Sequence, residues 1–375
     1  MPKNFFRRIT KKVFIITNIC LVLLFLLGCY GGGLDPATWW FTGFLTLASF
    51  YMLVLLLLFI VFWIFAKSRW AFVSVAAIAL AYQPLTRIIP LRFSAPFSKE
   101  KTSALRVMSW NVEHFNILEH KTHPEKKQQM LDLINDYQPD IACFQEMVGS
   151  DKNPKAINYV PDFLQKLNFA DYFYSYNVKI DFDGDHHFGI ITFSKYPVIN
   201  KQTISFYPND YNSIFQYVDI VKGNDTIRVF NIHLQSLKFS ANNLQYIDQP
   251  EFEDKKAIEQ SKNIIGKFKV GFLKRKVQAE RIRAEMDISP YPVIVCGDFN
   301  DVPNSYAYNT IGHGLKNAFV EKGNGFGRTF TGISPTLRID NIFTDSKFNI
   351  EQFTRVRKVL SDHFPVMADV QTIKK

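Results

Sequence analysis

Cysteine is scarce. The chain has four in 375 residues, none in a Cys-x-x-Cys pair or at any zinc-ligand spacing, so neither a disulfide scaffold nor a structural zinc centre organises it. Cys20 and Cys29 lie in an apolar run, and Cys143 and Cys296 lie in strand-like patterns, which reads all four as packing residues. Internal repeats and low-complexity tracts are missing. At 47% hydrophobic and 21% charged, the chain is too apolar for disorder and longer than one average domain. Acid is nearly absent from residues 1–101, where only Asp35 and Glu100 face eleven Lys and Arg. That segment therefore holds +9 of the formal net charge of +10, and the remainder, at +1, carries no global field for nucleic acid.

Long apolar runs fill that segment. Val13 to Gly28 (VFIITNICLVLLFLLG) has no charge and follows the basic cluster Arg7, Arg8, Lys11 and Lys12; extended to the glycines at 31–33 it can cross a hydrocarbon core of roughly 30 Å. A second uncharged run, Trp39 to Ala66, opens with the Trp39-Trp40 pair expected at a membrane interface. A third, from Trp70, is interrupted near its end by Gln83 and Pro84. The expected layout is an anchor over residues 1–95, with two or three transmembrane helices at about 13–31, 39–66 and 70–90. A linker at 96–103, within RFSAPFSKEKTS, and a catalytic domain at 104–375 follow. Leu26-Leu27-Gly28-Cys29 resembles a lipoprotein processing site, but the longer apolar runs after it argue against a cleaved leader. Basic residues flank the N-terminus and the loop at Lys67 to Arg69, which puts both in the cytoplasm. The expectation is a multi-pass protein of the inner (cytoplasmic) membrane; if the third run crosses, its domain lies on the periplasmic or extracellular side, and if it does not, the same domain faces the cytoplasm.

From Ala104 the apolar runs become short and are bounded by turn residues, the pattern of a sheet-rich domain. Strands are expected at Leu105 to Val112, Ile141 to Gln145, Tyr172 to Val178, Gly189 to Ser194, Phe215 to Val221, Ile227 to Leu234, Val293 to Cys296, Arg338 to Phe343 and Val366 to Val370. Gly223-Asn224-Asp225 makes a hairpin turn. Helical periodicity marks Glu125 to Tyr137, Pro161 to Leu167 and about Glu253 to Ile288. This mixture gives an α+β domain of packed sheets flanked by helices.

Polar residues break the strands at recurring places: Asn111 in SWN, Glu146 in FQE, His233 in NIHL, Asp298 and Asn300 in GDFN, Asp340 in RIDNI, Asp362 and His363 in SDH. Singly, an Asp or Asn beside a strand is a turn former. Together they are carboxylate, amide and imidazole groups at strand ends, where they can converge on one cleft. Such oxygens suit a hard divalent ion, Mg²⁺ or Mn²⁺, and phosphate-ester hydrolysis needs neutralised oxygens, a positioned water and help for the leaving group.

The ordered set WNV, QE, NIHL, GDFN, RIDNI and SDH resembles the endonuclease/exonuclease/phosphatase superfamily, with its deoxyribonuclease-I-like fold, over about residues 104–371. The strand and turn GIITFSKYP, Gly189 to Pro197, is similar as well. The resemblance implies a four-layer α/β/β/α sandwich and a phosphoesterase using metal-assisted in-line attack of water; with the apolar runs that precede it, the expectation is a membrane-anchored bacterial member whose sandwich follows transmembrane helices. By motif, Glu146 would be the main metal ligand, with Asn111 beside it and Asp362 completing the metal or histidine network. Asp298 would orient or deprotonate the water, Asn300 would hold water or a phosphate oxygen, and His233 would contact the scissile phosphate. His363, paired with Asp340, would act as base or as a cation; the base is left open between Asp298 and His363. The expected substrate is nuclease-like, with phospholipid or sphingomyelin-type phosphodiesterase, inositol-phosphate phosphatase and a non-catalytic binding protein as alternatives. No protein partner is evident. His186 and His187, adjacent and so facing opposite ways on a strand, are expected only as substrate-loop residues. The basic run Lys267, Lys269, Lys274, Arg275 and Lys276, with Phe268 and Phe272 interleaved, reads as a solvated helix, a membrane-surface contact or a wall of the substrate site.

Overall fold

Residue parity along the strands builds the core. Leu105 and Val107 turn to one side of their strand and Met108 and Trp110 to the other, and all are buried, so this strand must be covered on both faces. The computed structural model describes residues 3–150, 153, 155–181, 185–205, 214–249 and 255–373. In chain order the first strands are β1 (Leu105–Asn111), β2 (Ile141–Gly149), β3 (Asp171–Asp181), β4 (His187–Ser194), β5 (Val198–Ser205) and β6 (Ile214–Lys222). They are followed by β7 (Asp225–His233), β8 (Val293–Asp298), β9 (Lys316–Asn317), β10 (Asp340–Thr344), β11 (Phe348–Arg355) and β12 (Val366–Thr372). Sheet one has the order β11-β12-β1-β2-β4-β3 and sheet two β5-β6-β7-β8-β10-β9.

Cys143 and Val107 of sheet one meet Val229 and Cys296 of sheet two in the middle layer, where the two cysteines pack as neighbours. The N-terminal helices α1 (Lys3–Tyr30), α2 (Pro36–Trp39), α3 (Thr42–Phe65), α4 (Ala71–Leu80) and α5 (Tyr82–Ile88) precede this sandwich. Helices α6 (Pro124–Tyr137) and α7 (Val160–Lys166) cover sheet one through Met130, Ile134 and Phe163. After α8 (Ala241–Asp248), α9 (Lys255–Asp287) and α10 (Tyr306–Gly312) cover sheet two through Ile282, Met286 and Ile311, ahead of the short α11 (Ala318–Lys322). The result is the four-layer deoxyribonuclease-I-like sandwich. Three strands escape the sequence pattern, β5, β9 and β11, and all are sheet edges. An edge strand such as VINKQTIS needs no apolar alternation on both faces and carries polar residues that discourage further pairing.

Among the described residues α1 and α3 are long and apolar enough to cross a membrane, at 28 and 24 residues. The third run is not one helix but two, α4 and α5, bent by 68°. Pro84 explains the break: it has no N–H, and its ring collides with the carbonyl four residues back, that of Leu80. The Tyr30 hydroxyl donates to that same carbonyl at 2.6 Å.

The N-terminal helices are seated in the sandwich rather than strung from it. A Cβ built on Gly32 would lie 1.9 Å from the Asn304 carbonyl oxygen, and one on Gly43 2.5 Å from the Phe272 ring, so only glycine allows either approach. Asn304 donates to the Pro84 carbonyl at 3.0 Å, and Arg87 donates to Asn309 at 2.9 Å. Phe44 at the start of α3 packs on Phe268 and Phe272 of α9, with ring centroids 5.1 and 5.5 Å away. The segment after α5 is pinned as well: the buried Arg106 guanidinium donates to the carbonyls of Ser98, Lys99 and Glu100 while paired with Asp369 at 2.7 Å.

Candidate active site

Strand register assembles one side of the site. His233 ends β7, Asp298 ends β8 and Asp340 begins β10; the pairing sets His233 beside Asp298 and Asp298 opposite Asp340, three chemical groups in a row across sheet two. His363, in the loop before β12, is held by the Trp110 indole donating to its carbonyl at 2.9 Å and by a bridge to Phe330. Its Nδ1 lies 2.8 Å from Asp340 Oδ2, and its Nε2 lies 3.7 Å from Asp298 Oδ2.

Sheet one supplies the other side. Asn111 ends β1, and its amide donates to Asp298 Oδ2 at 3.2 Å. Glu146 sits in an irregularity of β2 between Phe144 and Met147 and has φ of +56°; a bulge of this kind re-aims a side chain. Its Oε1 is 3.6 Å from His233 Nε2, which is equally 3.6 Å from Asp298 Oδ2, so His233 joins the two sheets. Below this floor the Gln145 amide donates to Asn231 at 2.7 Å and Asn231 to the Ile191 carbonyl at 2.9 Å, a buried polar layer that fixes the spacing of the sheets under the site. Asn300, with φ of +49°, donates its backbone N–H to Asp298 Oδ1 at 2.7 Å and its side-chain amide to the Leu234 carbonyl at 2.9 Å.

Two further residues join the cluster, Glu113 and His114. They open a run of four left-handed residues, Glu113 to Asn116, with φ between +44° and +62°. Such a conformation costs roughly 1–2 kcal/mol per residue and is seldom sustained. The turn lets Glu113 accept from the Asp362 N–H at 3.1 Å, and it brings His114 close enough to act electrostatically on Glu146. WNV stops one residue short of Glu113, and nothing in the pattern of EHFN signals a left-handed turn. His187 has a structural place instead: it is buried and stacked on Tyr176 with centroids 4.0 Å apart.

Burial and crowding set the charge states. Burial raises the Glu146 carboxyl above its ordinary range, against the pull of His114 and Asn111, and Asp362 raises it further. Glu113 is raised by burial and then by Asp362. Asp298 is raised by burial and by Asp340, with His363 and His233 opposing. For His363 burial disfavours the cation, but Asp340 and Asp298 outweigh it and lift the imidazole to about 10.

Carboxylates that hold one another's charge down are what a cation relieves, and the donors here are oxygens suited to a hard divalent ion. Two sets fit. Asp298, Asp340 and His363 offer ligand atoms within 4.8 Å of one another, and Asp340 Oδ1 is buried without a hydrogen-bond partner among the described residues. Asp340 Oδ2, however, is already committed to His363. Glu146, within reach of Asn111, Asp362 and Glu113, gathers a second group of oxygens that leaves that pair intact.

A buried carboxylate and histidine constellation thus stands at one end of the two packed sheets. The Endonuclease/Exonuclease/phosphatase family matches residues 108–363, and the chain belongs to that family. It is accordingly a hydrolase of phosphoric ester bonds, in a family that is generally dependent on a divalent metal. A domain of unknown function (DUF8431) matches residues 11–88. No curated protein matches the chain. Similar solved structures include the endonuclease/exonuclease/phosphatase from Bacteroides vulgatus, at 18% identity and TM-score 0.51, covering 72% of this chain and 100% of that one. D. rerio TDP2 complexed with single strand DNA product is 15% identical, with a TM-score of 0.50 and the same coverage. The mannosyl-6-phosphatase Bt3783 of Bacteroides thetaiotaomicron is 17% identical over 72% of this chain and 100% of its own, with a TM-score of 0.48.

Proposed function

We propose that the protein is a membrane-anchored phosphoesterase, dependent on Mg²⁺ with Mn²⁺ as a substitute, that hydrolyses a phosphodiester or phosphomonoester by in-line attack of water. The observation that carries this is the row His233, Asp298 and Asp340 on sheet two, facing Asn111 and Glu146 from sheet one across 3.2–3.6 Å. Glu146, Asn111 and Asp362, joined by Glu113, would hold the cation, which when bound supplies neutralisation of the nonbridging phosphate oxygens. Asp298, anchored by the Asn300 N–H, orients the attacking water and takes its proton, a role that its raised proton affinity favours. His363, kept cationic by Asp340, lies against the phosphate and can give its Nε2 proton to the leaving oxygen. His233, between Glu146 and Asp298, and Asn300 contact the remaining phosphate oxygens.

The membrane reading rests on α1 and α3 and on charge. Arg7, Arg8 and Lys11 line one cleft with Trp63, Ala66 and Ser68, so the basic ends of both helices coincide, and the sandwich sits at the opposite end on Gly32, Gly43 and Phe44. With the basic end in the cytoplasm, the domain faces the periplasm or the exterior of an inner-membrane protein. The test is hydrolysis of bis(p-nitrophenyl) phosphate and p-nitrophenyl phosphate by the full-length protein in detergent, with Mg²⁺ and with a chelator. Activity is expected to vanish with the chelator and to fall at least ~10³-fold in Asp298→Ala and His363→Ala. Failure to hydrolyse either ester, or activity indifferent to the chelator and to both variants, overturns the proposal.

A further inference from the structure

We infer that the substrate is an amphiphile, a phosphoester bearing a long alkyl or acyl chain, taken sideways from the bilayer leaflet on the domain's side. This rests on the phosphoesterase reading and names the class of molecule that the site receives. A cavity of about 320 Å³ starts at His363 and Asn300 and runs to the face of α3, where Leu47 and Tyr51 line it; Phe239, Phe268, Phe330 and Ile333 form much of the rest. That volume lies at the lower end of ligand pockets, about 300–1,000 Å³. The lining is nearly all apolar. Beyond His363 at its start, the one basic side chain of the lining, Arg275, is committed to Asp301 at 3.0 Å and to the Gln235 carbonyl at 2.9 Å. A nucleic acid would need cations along this wall to meet its further phosphates, whereas an alkyl chain needs what is there.

The position of α3 supplies the route. Its basic end follows Phe65, and about 20 helical residues span the hydrocarbon core. Counting back from Phe65, the far boundary of that core falls near Thr46, so Leu47 and Tyr51 lie at or below it. One helix is therefore both the lipid-facing surface and the cavity wall. The mouth is built for that setting. Ile333, a β-branched residue held at φ of +58° and 54% exposed, stands there, in a conformation that costs on the order of 1–3 kcal/mol. The Tyr51 hydroxyl, 2.9 Å from Ser334 Oγ, ties that loop to the membrane helix.

A series of p-nitrophenyl phosphodiesters whose second ester group is methyl, octyl or hexadecyl, presented to the full-length protein in nanodiscs, tests the inference. The kcat/KM is expected to rise about fourfold per buried methylene until the cavity is filled. Leu47→Trp, which fills the cavity, and Ile333→Ser, at an exposed position, should flatten the rise while leaving hydrolysis of the methyl ester unchanged. Equal kcat/KM along the series, or a single-stranded oligonucleotide cleaved in preference to the hexadecyl ester, overturns the inference and leaves the phosphoesterase reading standing. If no ester is cleaved, that reading fails. The amphiphile is then judged by binding alone, because a hexadecyl phosphate carrying a diazirine on its chain should label the segments around Leu47 and Ile333 in Asp298→Ala protein. Label elsewhere, or label undiminished by Leu47→Trp, overturns it.

Discussion

Asp340→Asn removes one charge from the site and keeps its shape. In the native protein burial works against the His363 cation, yet Asp340, 2.8 Å from Nδ1, and Asp298 lift its pKa to about 10. In the unfolded chain an imidazole titrates near ~6.5. A folded value above the unfolded one means stabilisation that is complete below about pH 6.5 and is lost as the pH rises through about 10. At ~1.4 kcal/mol per pH unit, that window bounds the effect at roughly 5 kcal/mol. With asparagine in place, burial faces only Asp298 and the smaller pull of Asp362, so His363 is expected to lose its proton at lower pH than in the native protein and kcat to fall by about 10²–10⁴. Nitrogen-15 histidine spectra and urea unfolding of chelator-treated protein in micelles, between pH 6 and 9.5, read both quantities. Wild type should lose stability across this range, and the variant should be nearly flat. An unchanged slope together with a His363 signal that still titrates near the wild-type value would refute the reasoning.

Two further outcomes follow from the seam and the core. Gly32→Ala must push the Asn304 carbonyl aside and should cost about 1–3 kcal/mol in thermal unfolding, whereas Gly33→Ala, with nothing within 4 Å of the new methyl, should be neutral; equal melting of the two variants would contradict the packed seam. Asp369→Ala strands the buried Arg106 guanidinium and should cost about 3–5 kcal/mol in denaturant unfolding, most of it regained when Arg106→Met is added.

Much of the site is legible in the sequence because its groups stand where apolar strands stop. Asn111, His233 and Asp298 end strands and Asp340 begins one, so strand pairing alone gathers them, and His363 follows from the short SDH block beside β12. Glu113 and His114 escape, since a left-handed turn made without glycine leaves no mark in composition. Edge strands β5 and β11 escape because one side of each meets no core. The interruption that Gln83 and Pro84 announce in the third apolar run is seen as the 68° bend between α4 and α5, since proline lacks the N–H that would carry the helix on. Phe268 and Phe272, interleaved with lysines, look like surface until Phe44 is seen to lie across them.

The close fit of Gly32 against Asn304 also bears on how such a chain can diversify. Two segments that meet backbone to backbone cannot be exchanged independently: grafting this sandwich onto a foreign apolar hairpin would demand a glycine at the same height and a partner for the Arg87 carbonyl that Arg338 now holds. A change on one side of that junction thus calls for a matching change on the other.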